Sequence, residues 1–209
     1  MNSYYSNLIE GHDSLRSLTY VGQPTSSSLE PAKRALQIES VAHIDVQRLI
    51  EHELAENPNK TICSEAFLCW IHQEFYDRIP DEFRNIQAPN GDIKRVVPGK
   101  FREDEVEVGR HIPPASATID TFVKRFDECY GSTKLSAIQS VIASAAAHHR
   151  LAWIHPFLDG NGRVTRLFTH AYLIKAQIDG HGLWTVSRGL ARSRSAYMAS
   201  LAGADEHRH

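Results

Sequence analysis

Residues 155–166 read HPFLDGNGRVTR and crowd a base, a carboxylate, two glycines around an asparagine and two arginines into one stretch. Gly160 and Gly162 can take positive φ at little cost, so consecutive backbone N–H groups can curl into a nest for an anion. A helix starting directly after the nest adds its own unpaired N–H groups. Arg163 and Arg166 stand three apart and project to a similar side of that helix. Their guanidinium groups match phosphate oxygens in pairs, and two of them imply more than one phosphate, as in a nucleoside di- or triphosphate. Asp159 sits at the mouth and is the type of ligand that holds Mg²⁺ on a polyphosphate. His155, four residues upstream, is the natural base for an attacking hydroxyl. Phe157 and Leu158 read as apolar pegs that fix the loop to the core. Taken singly, DGNG is usually a turn, a histidine after a helix is usually structural, and two arginines at this spacing are usually a solvated face. Together, in order, they favour a site.

The elements that must position this loop are helical. Apolar spacing and breakers predict helices over 32–56, 64–78, 119–130, 135–153, 161–177 and 188–201. Ser64 is the expected N-cap of the second and Pro80 its stop. The helix over 135–153 carries an apolar stripe of Ile138, Val141, Ile142 and Ala145. The one over 161–177 carries Val164, Leu167, Phe168, Ala171 and Ile174. Near the N-terminus, QPTSSSLEP between Pro24 and Pro31 reads as a loop. PGKFREDEVEVGRHIPP, residues 98–114, sets Val106 and Val108 two apart between charges and brackets them with Pro and Gly, a short β-hairpin signal. The fold class is therefore mainly α with one small β-hairpin, and the loop joins two helices expected to be antiparallel neighbours.

Size and composition narrow the function. With 209 residues and 42% hydrophobic content, the chain suits one domain, or one domain with a small appendage. A net charge of −2 gives no global basic field for nucleic acid. Cys63, Cys69 and Cys129 form no CxxC pair or zinc pattern and read as reduced thiols. The N-terminus has no signal-peptide texture and no stretch is long and apolar enough to span a bilayer, so a soluble, cytoplasmic protein is expected. There is no GxxxxGK[ST], no full dinucleotide fingerprint and no HExxH. His12-Asp13 and His148-His149 read as structural or surface features.

At every defining position HPFLDGNGRVTR resembles the HPFx[D/E]GNGRxxR motif of the Fic (filamentation-induced-by-cAMP) domain family. The flanks HHRLAWIHPF, PGKFREDEVEVGRHIPP and WTVSRGLARSRSAYMASLAGAD are similar to that family too, from about Val97 to Asp205, with weaker agreement from Ala32 to Pro89. The resemblance implies a Fic-type helical bundle that transfers AMP from ATP to a Ser, Thr or Tyr hydroxyl of a target protein, self-modification included. His155 would be the base and Asp159 the Mg²⁺ ligand. Gly160, Asn161 and Gly162 would form the anion hole, with Arg163 and Arg166 on the β- and γ-phosphates. The hairpin becomes a flap that docks the target edgewise, through Lys100, Phe101, Arg102, Glu103, Val106 and Val108.

The N-terminal Ser6-x-x-x-Glu10-Gly11 resembles the family's [S/T]xxxE[G/N] inhibitory motif, with Glu10 expected to pair with Arg166 in the place of the γ-phosphate. This divides the chain into an N-terminal segment, 1–31, and a Fic core, 32–209, expected to be cut short at its C-terminus. The same residues leave three alternatives open: removal of AMP, transfer of another phosphate-containing group, and a non-catalytic nucleotide-binding interaction module. Neither a membrane nor a nucleic acid is expected as a partner, and homo-oligomerisation stays open.

Overall fold

The computed structural model describes Ile9 and residues 26–88, 91–131, 135–178 and 186–205. Its elements are α1 (Ser26–Glu56), α2 (Glu65–Asp77), β1 (Asn85–Gln87), β2 (Ile93–Arg95), α3 (Ile119–Tyr130), α4 (Ala137–Ile154), α5 (Asn161–Lys175), α6 (Val186–Arg192) and α7 (Arg194–Asp205). The expected class holds: a helical bundle with one small two-stranded sheet among the described residues.

Local chemistry sets the helix ends. The side chain of Ser64 accepts from the Phe67 N–H and caps α2, as expected. Ser136 and Gln139 exchange side-chain and backbone bonds at the start of α4, a complete capping box. The first helix differs from expectation. It starts at Ser26 and runs through Pro31, so that proline lies inside the helix and not before it. Its start also precedes the segment boundary drawn at 31/32. The last expected helix is two, α6 and α7, broken at Ser193.

At the centre stands α5, buried on most of its circumference. Val164, Leu167, Phe168 and Ala171 join a core of Val46, Ile50, Phe67, Leu68, Ile71, Phe75, Phe126 and Leu151. On one side it meets α4. Thr169 gives its hydroxyl proton to the Thr165 carbonyl (2.7 Å), so it accepts from His148 Nδ1–H (2.8 Å), and the other ring nitrogen accepts from Tyr197 of α7 (2.9 Å). His148 precedes the connecting loop by about as much as Thr169 follows it, so α4 and α5 run back along each other. On the other side α1 is tied to α5 by Glu39–Arg163 (3.0 Å) and Glu51–His170 (2.9 Å).

Two expectations are corrected here. The stripe Ile138, Val141, Ile142 and Ala145 faces outward, with Ile138 76% and Ile142 64% exposed. The inward face of α4 is Ser140, Ser144, Ala147, His148, Leu151 and Ile154. Small residues are needed there because α5 lies close. The hairpin is also elsewhere. The paired strands are Asn85–Gln87 and Ile93–Arg95, whereas residues 98–114 form no strand and turn at 98–99 and 109–110, the second turn closed by a single bridge between Val108 and His111. Pro113 and Pro114 lack the N–H a ladder needs, and Arg102 binds the carbonyls of Asp104 (2.8 Å) and Pro114 (2.5 Å) in its place.

No described helix is long and apolar enough to cross a membrane.

Candidate active site

The loop over 155–160 is held from three directions. His155 ends α4 in the left-handed region, φ 49° and ψ 57°, a conformation histidine tolerates better than most side chains. Its carbonyl accepts from Arg102 Nε (2.9 Å), and the next carbonyl, of Pro156, accepts from the Arg102 N–H (2.9 Å). Phe157, fully buried, stacks on His72 with centroids 4.1 Å apart. Asn161 spends both ends of its amide on Phe157, accepting from its N–H (2.9 Å) and donating to its carbonyl (2.7 Å). The asparagine side chain therefore staples the loop, and what it can offer an anion is backbone.

Gly160 opens α5 at φ 78°, and that helix has no side-chain cap. A Cβ on Gly160 would stand 2.7 Å from the Tyr76 ring, so only glycine fits. An uncapped helix start behind a left-handed glycine keeps unpaired N–H groups for an anion. Gly162 lies in the first turn of the same helix.

His155 is suited to accept a proton. Its Nδ1 lies 3.4 Å from the Ala152 carbonyl, which fixes the proton there and leaves the lone pair on Nε2. Burial, helped by the charge of Arg102, pulls its pKa down to about 4, so the ring is neutral at physiological pH.

Asp159 keeps 45% of its side chain exposed. The protein crowding it works against ionisation, but the nearby Arg163 charge and bonds from the Tyr76 hydroxyl and Gly160 N–H outweigh that and hold its pKa below the usual carboxylate range. An ionised, accessible carboxylate beside an anion cradle fits Mg²⁺, which takes one or two protein carboxylates and completes its shell with phosphate and water.

The two arginines occupy different surroundings. Arg163 reaches Glu39 Oε1 (3.0 Å) and Asp159 Oδ2 (3.6 Å), and its guanidinium lies over Phe75. Arg166 is 2% exposed, and its charge helps depress the pKa of both His43 on α1 and His148 on α4, after burial in each case. Ser6, Glu10 and Gly11 lie outside the described residues. Ile9 is described, 1% exposed, with its carbonyl accepting from Arg194 Nε (2.8 Å).

The flap residues divide into two groups. Lys100, Glu103 and Val108 are exposed, and Phe101 and Val106 half-buried. Phe101 packs on Phe157 at 5.3 Å. Arg102 is 4% exposed and turned inward, where it ties the flap to the His155 carbonyl. Its side chain positions the loop and does not face a target. The far end of the flap is held by His111, which donates from Nε2 to the Trp153 carbonyl (2.9 Å) and faces Asp205 of α7 at 3.7 Å. Along residues 99–103 runs an open cavity of about 520 Å³ whose rim includes Glu65, Lys100, Glu103 and Asp120.

Four site residues lie outside the motif: Glu39, His43, His72 and Tyr76. The signal for the last two is present in the sequence, since His72 and Tyr76 are in step with Leu68 and Phe75 on the inward face of α2. Polar groups on a core stripe ask for partners.

Fold and site together define a helical domain whose central helix starts uncapped behind a left-handed glycine, with a neutral imidazole before it. A model of the Fic/DOC family matches residues 62–173, and the chain belongs to that family. It is 24% identical over 189 residues to the protein adenylyltransferase Fic of Drosophila erecta, a match covering 80% of this chain and 38% of that one. Over 86 residues it is 37% identical to the protein of the same name from Drosophila willistoni, covering 41% of this chain and 17% of that one. The chain thus spans about two-fifths of the length of the D. erecta relative. Among solved structures, it superposes on a Fic family protein from Desulfovibrio desulfuricans G20 with a TM-score of 0.62 at 18% identity, covering 98% of this chain and 57% of that one. Fic-1 from C. elegans gives the same score at 19% identity, covering 97% and 54%.

Proposed function

We propose that this chain is the catalytic core of a protein adenylyltransferase that moves AMP from ATP to a Ser, Thr or Tyr hydroxyl of a target protein. The observation that carries the reading is a neutral His155 with its lone pair on Nε2, in one short loop with Asp159 and the uncapped start of α5. The names of the Drosophila relatives support it.

In this reaction the target hydroxyl oxygen attacks the α-phosphorus, and the bond to the oxygen bridging the α- and β-phosphates breaks. Pyrophosphate leaves, and His155 Nε2 takes the hydroxyl proton. The backbone N–H groups that follow Gly160, those of Asn161 and Gly162 at the start of α5, hold the phosphate oxygens, and Arg163 and Arg166 balance the charge of the leaving pyrophosphate. Asp159 holds Mg²⁺, which when bound neutralises phosphate charge. The target lies along residues 100–108 by edge pairing. In support, Glu103, Glu105, Glu107 and Val108 are exposed, and among the described residues no strand pairs with 100–107. The free thiols Cys63, Cys69 and Cys129 suit the reducing cytoplasm.

The same reading includes a brake, Glu10 pairing with Arg166 where the γ-phosphate would bind. The buried, anchored Ile9 immediately before Glu10 supports it. Incubation with Mg²⁺ and ATP labelled on the α-phosphate tests both parts. Glu10→Gly should raise self-labelling, and adding His155→Ala should abolish it. Equal labelling of wild type and Glu10→Gly removes the brake, and labelling that survives His155→Ala removes the base.

A further inference from the structure

We propose that Tyr76 is a positioning residue for the metal ligand: its hydroxyl occupies Oδ2 of Asp159 and leaves Oδ1 as the oxygen that meets the cation. This rests on the reading of Asp159 as the Mg²⁺ ligand.

The geometry is specific to the hydroxyl. Tyr76 is 1% exposed and sits among the rings of His72, at 4.6 Å, and Phe75, at 5.4 Å, where a phenyl ring would pack as well. A buried hydroxyl is costly without a partner. Tyr76 has one, donating to Asp159 Oδ2 at 2.5 Å, the short distance of a bond to an ionised acceptor. The same oxygen faces Arg163 Nη1 at 3.6 Å, and the carboxylate also accepts from the Gly160 N–H. A phenol keeps its proton at physiological pH and an ionised carboxylate only accepts, so the Tyr76 hydroxyl is the donor of this bond.

One turn of α2 grips the loop at three points. His72 accepts at Nδ1 from the Gly99 N–H (2.9 Å), so its proton is on Nε2, which donates to the Asp159 carbonyl (3.3 Å). Four residues on, the Tyr76 hydroxyl holds the Asp159 carboxylate, and the Tyr76 ring blocks anything larger than glycine at 160. Backbone, side chain and following residue are thus fixed by two side chains on one face of one helix. Partners of this kind set a ligand's orientation, and their loss typically lowers metal affinity about 10- to 100-fold.

Mn²⁺ affinity, read by electron paramagnetic resonance in the presence of α,β-methylene-ATP, tests the proposal without turnover. Tyr76→Phe should weaken Mn²⁺ binding roughly tenfold, while thermal unfolding shows a folded protein. Replacement of Tyr76 by 3-fluorotyrosine, which keeps the ring and the donor, should hold the affinity within about twofold of wild type. Unchanged affinity in folded Tyr76→Phe overturns the proposal, as does a fluorotyrosine protein that loses as much as the Phe variant. Asp159→Asn separates the two levels. If it abolishes binding while Tyr76→Phe does not, positioning by Tyr76 fails alone. If it leaves binding intact, Asp159 is not the ligand and both readings fail.

Discussion

Gly160 meets two demands at once, a φ of 78° and the Tyr76 ring 2.7 Å from where a Cβ would stand. Gly160→Ala should therefore cost about 2–4 kcal/mol, from a strained backbone plus overpacking, and denaturant unfolding measures it. The Asn161 staple makes a parallel case. Asn161→Ala strips both polar groups of the buried Phe157 peptide of their partner and should cost about 2–3 kcal/mol. Such a loss would reflect the loop's support more than any contact with nucleotide. For His155, a pKa of about 4 lies below the ordinary imidazole value, so the base stays deprotonated from pH 8 down to about pH 5. The rate of transfer should be flat between pH 6 and 8, and a decline centred near pH 6.5 would mean an unperturbed imidazole. At this scale the motif was legible in the sequence because its groups are contiguous. For Tyr76 the core stripe of α2 signals a buried hydroxyl but not its partner, and Glu39 and His43 carry no signal, because no spacing along the chain brings residues more than 80 positions apart to one carboxylate or one guanidinium.

Among the elements, the flap owes its shape to one side chain. Arg102 binds the carbonyls of His155, Asp104 and Pro114. Arg102→Lys cannot reproduce a planar fork with several donors, so it should loosen residues 100–114 almost as much as Arg102→Ala. Faster amide exchange in that segment, with α2 and α5 still protected, is the expected result. The sequence pattern reads 98–114 as a hairpin because alternation and turn residues are present. The pattern carries no trace of a guanidinium replacing the ladder. For α4, hydropathy picks the wrong face. Ile138, Val141 and Ile142 outrank Ser140, Ser144 and Ala147 on any apolar scale, yet the approach of α5 requires the small set inward. Ile138→Gln and Ile142→Gln should accordingly shift stability by no more than about 0.5 kcal/mol, read from thermal unfolding.

Across the whole molecule, neutral histidines are part of the packing. Burial holds His72 and His155 near a pKa of 4 and His148 near 3, and pushes His43 well down. A histidine whose pKa is lower folded than unfolded stabilises the fold above about pH 6.5, and that contribution is lost as the pH falls toward the folded value, because the unfolded chain takes up the proton first. His72 alone, fully buried, should cost on the order of 3 kcal/mol by pH 4. The melting temperature should fall progressively from pH 6.5 to pH 4, and His72→Gln should flatten part of that fall. The mainly helical class followed from periodicity and breakers, whereas the small sheet lies at residues 85–95 and not where alternation marked it. The arrangement around α5 did not follow, because its apolar stripe marks one face while Asn161, Arg163, Thr165, Arg166 and Thr169 on other faces are buried too.

The left-handed backbone of His155 bears on how inactive forms of this protein are made. At φ 49° an alanine carries a backbone penalty of about 1–2 kcal/mol, so His155→Ala removes the imidazole and also strains the joint between α4 and the loop. Asparagine visits that region more readily and has no basic lone pair. His155→Asn is thus the substitution that silences the chemistry while leaving the hinge of the loop in its native shape, and it is the form in which a bound target or nucleotide would be trapped most faithfully.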